Sequence, residues 1–268
     1  MSPVEIVNWN PRRSTRGGAL GKVSQRIGLA PRVNNFGDLL GPLIVRELLR
    51  RRGIDPRAGT RDVALLSVGS VLRLATEGDV VWGTGANGKS LDETFRFTQL
   101  DVRAVRGPHT RDFLQGRGIT VPEVYGDPGL LVGTLWSRDE LRGSEPTHPL
   151  TVIPNLNDAA QQPDGPGVIS PQLPLATVLR RIAASEFVTG SSLHAVVIAD
   201  ALGIPARLIE SGHEPRFKYE DYYLGSGREG YTPAPDAATA LALGGEPAPV
   251  WDPAPLLAAF PYDLWGAE

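Results

Sequence analysis

Glu186-Phe187-Val188-Thr189-Gly190-Ser191-Ser192-Leu193-His194-Ala195-Val196-Val197-Ile198-Ala199-Asp200-Ala201-Leu202-Gly203-Ile204-Pro205 reads as a strand, a turn, a helix and a second turn. Glu186 to Thr189 is short and β-prone. Ser191 or Ser192 can cap the helix, because a serine oxygen accepts one of the backbone N–H groups that a helix start leaves free. Leu193, Val196, Val197 and Leu202 supply an apolar face, and Gly203 followed by Pro205 ends the helix. His194 then lies in the first turn, where free N–H groups and the positive end of the helix dipole favour a bound anion. An imidazole beside an anion is suited to acid catalysis.

The alternation continues on both sides of this stretch. Val4 to Asn8 reads as a first strand, and residues 10–35, rich in Arg, Gly and Pro, as a long loop. A helix runs from Asn35-Phe36-Gly37-Asp38 to about Arg52, with Leu39, Leu40, Leu43, Ile44 and Leu48 on one face. Val63 to Val68 is the continuous apolar run of a strand buried on both faces of a parallel sheet. Val80 to Trp82, Asp101 to Val105 and Val121 to Tyr125 are further extended runs, with a helix from Pro108 to Gln115. Several runs end in glycine beside a polar residue: Gly69-Ser70, Gly83-Thr84-Gly85, Arg106-Gly107 and Gly126-Asp127. Ligands of open α/β sheets bind outside such carboxyl ends.

Residues 137–149 are polar and read as a linker. A second α/β unit follows, with strands at Leu150 to Ile153, Gly167 to Ser170, Glu186 to Thr189 and Ala206 to Ile209 and a helix around Leu175 to Ala184. The expected fold class is α/β, with two Rossmann-like lobes facing a cleft. The lobes are residues 1–136 and 150–248. A tail, residues 249–268, packs back on the first lobe; short helices are expected near Ala237 to Leu243 and Pro253 to Phe260.

The composition narrows the function classes. The chain has 268 residues, 41% hydrophobic and 21% charged, as in a globular protein with a sizeable core. A formal net charge of −3 argues against general nucleic-acid binding. Arg12, Arg13, Arg16, Lys22 and Arg26 form a local basic cluster, read as a solvated arm. There are no cysteines, which excludes disulfides, zinc–thiolate sites and thiol nucleophiles. No apolar signal core or membrane-length run is present, so the expected location is cytoplasmic, with peripheral membrane contact left open. The four histidines show no metal-ligand spacing, so no metal is expected; no P-loop and no Gly-x-Ser-x-Gly elbow occur.

Six short motifs in order carry a resemblance. Asn35-Phe36-Gly37-Asp38, Trp82-Gly83-Thr84-Gly85, Val105-Arg106-Gly107-Pro108, Tyr125-Gly126-Asp127-Pro128, Ser191-Ser192-Leu193-His194-Ala195 and Lys218-Tyr219-Glu220-Asp221-Tyr222-Tyr223 resemble the motif series of polysaccharide pyruvyl transferases. The resemblance spans about residues 34–224 and implies a GT-B-like pair of Rossmann lobes, the first on the acceptor side and the second on the donor side. It implies transfer of the pyruvyl carbon of phosphoenolpyruvate onto two hydroxyls of a sugar, giving a pyruvate ketal and phosphate. Phosphoenolpyruvate is then a co-substrate and no cofactor is expected. The acceptor is a carbohydrate of exopolysaccharide or cell-wall glycan assembly, lipid-linked or free. One position departs: the family commonly has arginine where this chain has Ser192, and serine cannot replace a bidentate guanidinium. Arg207 is one compensating candidate.

Site residues follow from this chemistry. His194 is the expected acid and Asp38 the base or acceptor ligand. Arg106, Ser191, Ser192, Leu193 and Lys218 are expected on the donor. Asn35, Gly37, Thr84, Tyr222 and Tyr223 are expected on the acceptor. His109 and Asp127 are further candidates. Simpler readings stand beside these: Asp38 as a carboxylate stabilising a helix start, Arg106 as a surface arginine paired to Asp101 or Asp112, Asp127 as a turn residue, and the tyrosines as core anchors. His148 and His213 are read as uninvolved. Replacing His194 or Arg106 by alanine is expected to remove donor-dependent activity with the fold intact. The alternative functions are a GT-B-type glycosyltransferase using a nucleotide sugar, or a non-catalytic glycan- or anion-binding protein.

Overall fold

The computed structural model describes residues 4–12 and 31–267. Four parallel strands, β1 (Glu5–Val7), β2 (Ala64–Leu66), β3 (Val80–Trp82) and β4 (Asp101–Ala104), lie side by side in chain order. A second sheet holds β5 (Thr151–Val152), β6 (Val188–Gly190) and β7 (Ala206–Leu208), also parallel and in chain order. Parallel strands need crossovers: helices supply them from β1 to β2, β5 to β6 and β6 to β7, while β2, β3 and β4 are joined by segments without an α-helix. The helices are α1 (Phe36–Arg51), α2 (Pro108–Gln115), the short α3 (Val132–Leu135) and α4 (Arg138–Arg142), α5 (Leu175–Ala183), α6 (Leu193–Ala201), α7 (Phe217–Gly225), α8 (Ala237–Leu243) and α9 (Pro253–Ala258). Of the expected basic cluster, only Arg12 lies among the described residues.

Period-two alternation divides the first sheet's apolar side chains between its faces. Leu65, Val80 and Trp82 join Ile44, Leu48, Val188 and Val196 in one continuous apolar cluster that reaches both sheets. Leu66, Val81 and Val105 point to the other face and pack with Leu114 of α2. Helix α1 therefore lies in a shared layer, packed against β1 and α5. Backbone bonds reinforce this seam: Phe36 N–H donates to the Pro171 carbonyl at 3.0 Å.

Residues 137–149 depart from a featureless linker. They contain α4, started by a reciprocal Ser137–Glu140 capping box. Arg138 donates to the carbonyls of Ala183 and Ser185, fixing this helix to the end of α5. The tail lies across the first sheet. Trp82 is fully buried, donates its indole N–H to the Leu256 carbonyl at 2.9 Å and meets the Phe260 ring edge-on at 4.8 Å. Trp265 donates to the Pro56 carbonyl at 3.0 Å.

Trp82→Ala should cost about 3–5 kcal/mol in urea unfolding and expose the 253–265 segment to limited proteolysis, whereas Trp82→Phe should keep the tail docked and lose about 1 kcal/mol for the indole bond. Proteolysis of the tail unchanged in Trp82→Ala would contradict this packing.

Candidate functional site

A cleft of about 310 Å³ opens where the carboxyl ends of both sheets meet. Its walls are the segments that leave the strands: Trp9 after β1, Ser70 and Val71 after β2, Asn87, Lys89 and Ser90 after β3, Asn155 to Asn157 after β5, and Ser192 to His194 after β6. Asn35 and Asp38 at the start of α1, with Glu214 and Lys218 around the start of α7, complete it. Arg73 and Glu93 also reach the cleft.

Helix α6 begins at Leu193, as expected, but neither serine caps it. Ser192 occupies the N-cap position without a side-chain bond to the helix. The Ser191 hydroxyl donates to Asp158 Oδ2 at 2.6 Å and accepts the Asn155 N–H at 2.9 Å, so it braces two loops. His194 is held by contact on both edges. A methyl group on Gly37 would overlap its Nδ1, so only glycine at that place in α1 leaves room for the ring. On the other edge, Nε2 is 3.6 Å from Asp127 Oδ2. Both of those atoms are buried and neither has a hydrogen-bond partner.

Asp38 accepts a bond from Asn35 Nδ2 at 2.7 Å. Burial raises its carboxyl above the ordinary range, opposed by the Asn35 bond and by attraction to His194 and Lys218. A carboxyl so shifted is a stronger proton acceptor once ionised. Lys218 is almost fully buried and bonds Glu214 Oε2 at 3.0 Å. Burial lowers its ammonium, and Glu214 opposes that shift. Glu214 also binds Lys89 at 2.5 Å and Asn157 at 2.8 Å. Burial would raise the Glu214 carboxyl, but Lys218, Lys89 and Asn157 together hold it below the ordinary range.

Several expected site residues lie outside the cleft lining, Gly37, Asp127, Ser191 and His109 among them. Arg106 is neither exposed nor paired with Asp101 or Asp112. It is fully buried, and its guanidinium binds Asp221 at 3.0 Å, the Ser70 hydroxyl at 2.7 Å and the Ala86 carbonyl at 3.0 Å. Each of its three guanidinium nitrogens bonds the protein, so an intact fold in Arg106→Ala is not expected. Thr84 is buried and donates to the Gly69 carbonyl at 2.7 Å, shaping a turn and not lining the cleft. Tyr222 and Tyr223 face the core. The Tyr222 hydroxyl donates to Asp200 at 2.6 Å, and the Tyr223 ring stacks on Tyr231 at 4.8 Å. Burial raises both phenols.

His109 contacts the Phe217 ring and approaches Glu220 at 3.9 Å, outside the cleft lining. Arg207 binds Glu246 and the Gly244 and Thr232 carbonyls, also away from the cleft. His148 pairs with Glu145, and His213 with Asp158. Lys89, Glu214, Asn155 and Asn157 were not anticipated. Helical spacing does not explain the Glu214–Lys218 pair: Glu214 lies in the bend before α7, which begins at Phe217, and meets Lys218 from there.

Asp38→Asn should stabilise the protein at about pH 7 and have no such effect at about pH 3. A folded pKa raised above the unfolded value means that ionising the carboxyl costs stability, and this cost vanishes once both states are protonated. Urea unfolding at the two pH values checks this; destabilisation at both would make Asp38 a structural helix-start residue.

No helix among the described residues is long and apolar enough to cross a membrane, and no group of three or more metal-ligating side chains converges there. The succinoglycan biosynthesis protein ExoV of Rhizobium meliloti (strain 1021) is 26% identical over 204 residues, which cover 70% of this chain and 60% of that protein. This chain thus matches somewhat over half the length of that curated relative. An uncharacterized protein from Klebsiella pneumoniae subsp. pneumoniae NTUH-K2044 superposes with a TM-score of 0.44 at 11% identity, over 70% of this chain and 83% of that one. Residues 35–213, which include the starts of α1 and α6 and every strand from β2 to β7, match the model of the polysaccharide pyruvyl transferases, and the chain belongs to that family.

Proposed function

We propose that this protein transfers the pyruvyl group of phosphoenolpyruvate onto two hydroxyls of a sugar, forming a ketal and releasing phosphate, in the assembly of an exopolysaccharide or cell-wall glycan. The observation that carries this reading is the convergence of His194, Asp38 and Lys218 on one cleft at the carboxyl ends of the strands. In this reading the two sheets are the cores of two GT-B-like lobes, residues 1–136 and 150–248, joined through 137–149, and the tail 249–268 belongs to the first lobe.

Phosphoenolpyruvate is small and polyanionic, and its site needs cations and N–H donors. Lys218 lines the same cleft as Ser192 and supplies the positive charge that the family arginine would bring. Lys89 stands beside it on Glu214. Ser192, Leu193 and the free N–H groups at the start of α6 complete the donor side. Asn35 and Asp38, at the start of α1, line the same cleft and take the acceptor.

The chemistry balances with two proton carriers. Protonated His194 gives a proton to the methylene carbon, which becomes methyl and leaves C2 electrophilic. The first sugar hydroxyl adds to C2 as Asp38 takes its proton. The C2–O bond to phosphate then breaks, and the departing phosphate receives the proton from Asp38. The second hydroxyl adds to C2 and returns a proton to His194. Each transfer is of the general acid–base kind, worth about 10²–10⁴-fold.

Incubation with phosphoenolpyruvate and a panel of hexosides should release phosphate only when an acceptor is present, with a ketal methyl signal in the product spectrum. His194→Gln should lower kcat by at least about 100-fold while leaving the folded spectrum unchanged. Phosphate-free turnover of a nucleotide sugar would replace this reading with glycosyl transfer, and anion binding without turnover would replace it with a binding protein.

A further inference from the structure

We infer that Asp127 is a positioning residue that fixes the ring and tautomer of His194, a deepening that rests on the acid role proposed for that histidine. The buried Nε2 of His194 and the buried Oδ2 of Asp127 face each other at 3.6 Å, each without another hydrogen-bond partner. Two orphaned polar atoms are costly in a protein interior, and a donor facing an acceptor removes both penalties. Closing the gap by about 0.7 Å makes a charge-assisted bond of ordinary length.

The geometry allows one arrangement of that bond. Asp127 Oδ1 accepts the Gly129 N–H at 2.8 Å at the start of the 3-10 turn Pro128–Leu131, so the carboxylate is not free to rotate. This turn packs on α6, which carries His194. The remaining oxygen, Oδ2, faces Nε2 and can only accept. Nε2 must then carry a proton, and in the neutral ring Nδ1 is left as the lone-pair nitrogen. Nδ1 lies along Gly37, immediately before Asp38, at the edge of the ring away from Asp127. Proton exchange with substrate is therefore confined to Nδ1, and the carboxylate steadies the imidazolium. The charged groups around the ring are Asp127 on one edge and Asp38, next to Gly37, with Lys218 in the same cleft lining.

Asp127→Asn tests this without removing the turn. The Gly129 N–H keeps the amide oxygen in the Oδ1 place, so the NH₂ group must face Nε2 and demand an acceptor there. Two-bond ¹H–¹⁵N correlation spectra of histidine-labelled protein, with His194→Gln to identify the signal, read the tautomer directly. The parent should show neutral His194 protonated on Nε2, and Asp127→Asn should show it protonated on Nδ1. With phosphoenolpyruvate as donor, kcat should fall by roughly 100-fold or more while KM changes by less than about threefold. An Nδ1-protonated ring in the parent overturns the inference, and the parent spectrum needs no variant to fold. An unchanged tautomer in Asp127→Asn also overturns it, making Asp127 a turn cap alone. The expected tautomer exchange in a protein with no pyruvyl transfer supports the positioning role and removes the catalytic reading instead.

Discussion

The arrangement of the cleft depends on a buried ion pair. Arg106 follows β4, Asp221 lies on α7, and both side chains are fully excluded from water. The Thr110 backbone N–H and hydroxyl donate to the two Asp221 oxygens at 2.9 and 2.6 Å, so the carboxylate is saturated. Gly107 lets the backbones touch: any side chain there would strike the Asp221 carbonyl. Removing one member of such a pair leaves an uncompensated charge and costs about 3–5 kcal/mol. The functional consequence is positional. Asp221 is three residues from Lys218, and the pair holds the start of α7 against the end of the first sheet. It carries Lys218 into the cleft that Asp38 also lines.

The cleft lining sets three cations, Arg73, Lys89 and Lys218, against three carboxylates, Asp38, Glu93 and Glu214, so in the proposed function a small anion is held by N–H donors and not by a net positive field. Glu214 gathers Lys89 and Lys218 from opposite sides, and an ammonium has three donors, so each lysine keeps capacity for a ligand oxygen. Backbone N–H groups at the start of α6 add to these donors. Ser192 therefore does not leave the cleft without positive charge. Asp38 is desolvated enough for its carboxyl to be raised, while His194 is clamped between Gly37 and Asp127. In the proposed function, acid, base and anion site come from three distant parts of the chain.

What was legible in the sequence was what short-range chemistry decides. Gly203 and Pro205 bounded α6, the run around Leu65 and Leu66 announced a strand buried on both faces, and of the glycine-marked strand ends Gly69-Ser70 leads into the cleft. The roles of Arg106, Thr84, Tyr222 and Tyr223 were not legible, because their partners are set by tertiary packing. Arg106 meets Asp221 at a separation of 115 residues. Tyr222 points at Asp200 because α7 turns that face toward α6, and nothing local distinguishes a tyrosine so directed from one facing a sugar. The helix in 137–149 escaped notice because it is only five residues long and buries no side chain.

The most direct test of the account is calorimetric titration of phosphoenolpyruvate into the parent and into Lys218→Met, with inorganic phosphate and a nucleotide sugar as controls. Methionine keeps the buried volume and removes the charge. The account predicts saturable phosphoenolpyruvate binding in the parent and a Kd at least about tenfold higher in Lys218→Met, equivalent to about 1.4 kcal/mol. Equal affinity in both proteins, or binding of the nucleotide sugar alone, would contradict it.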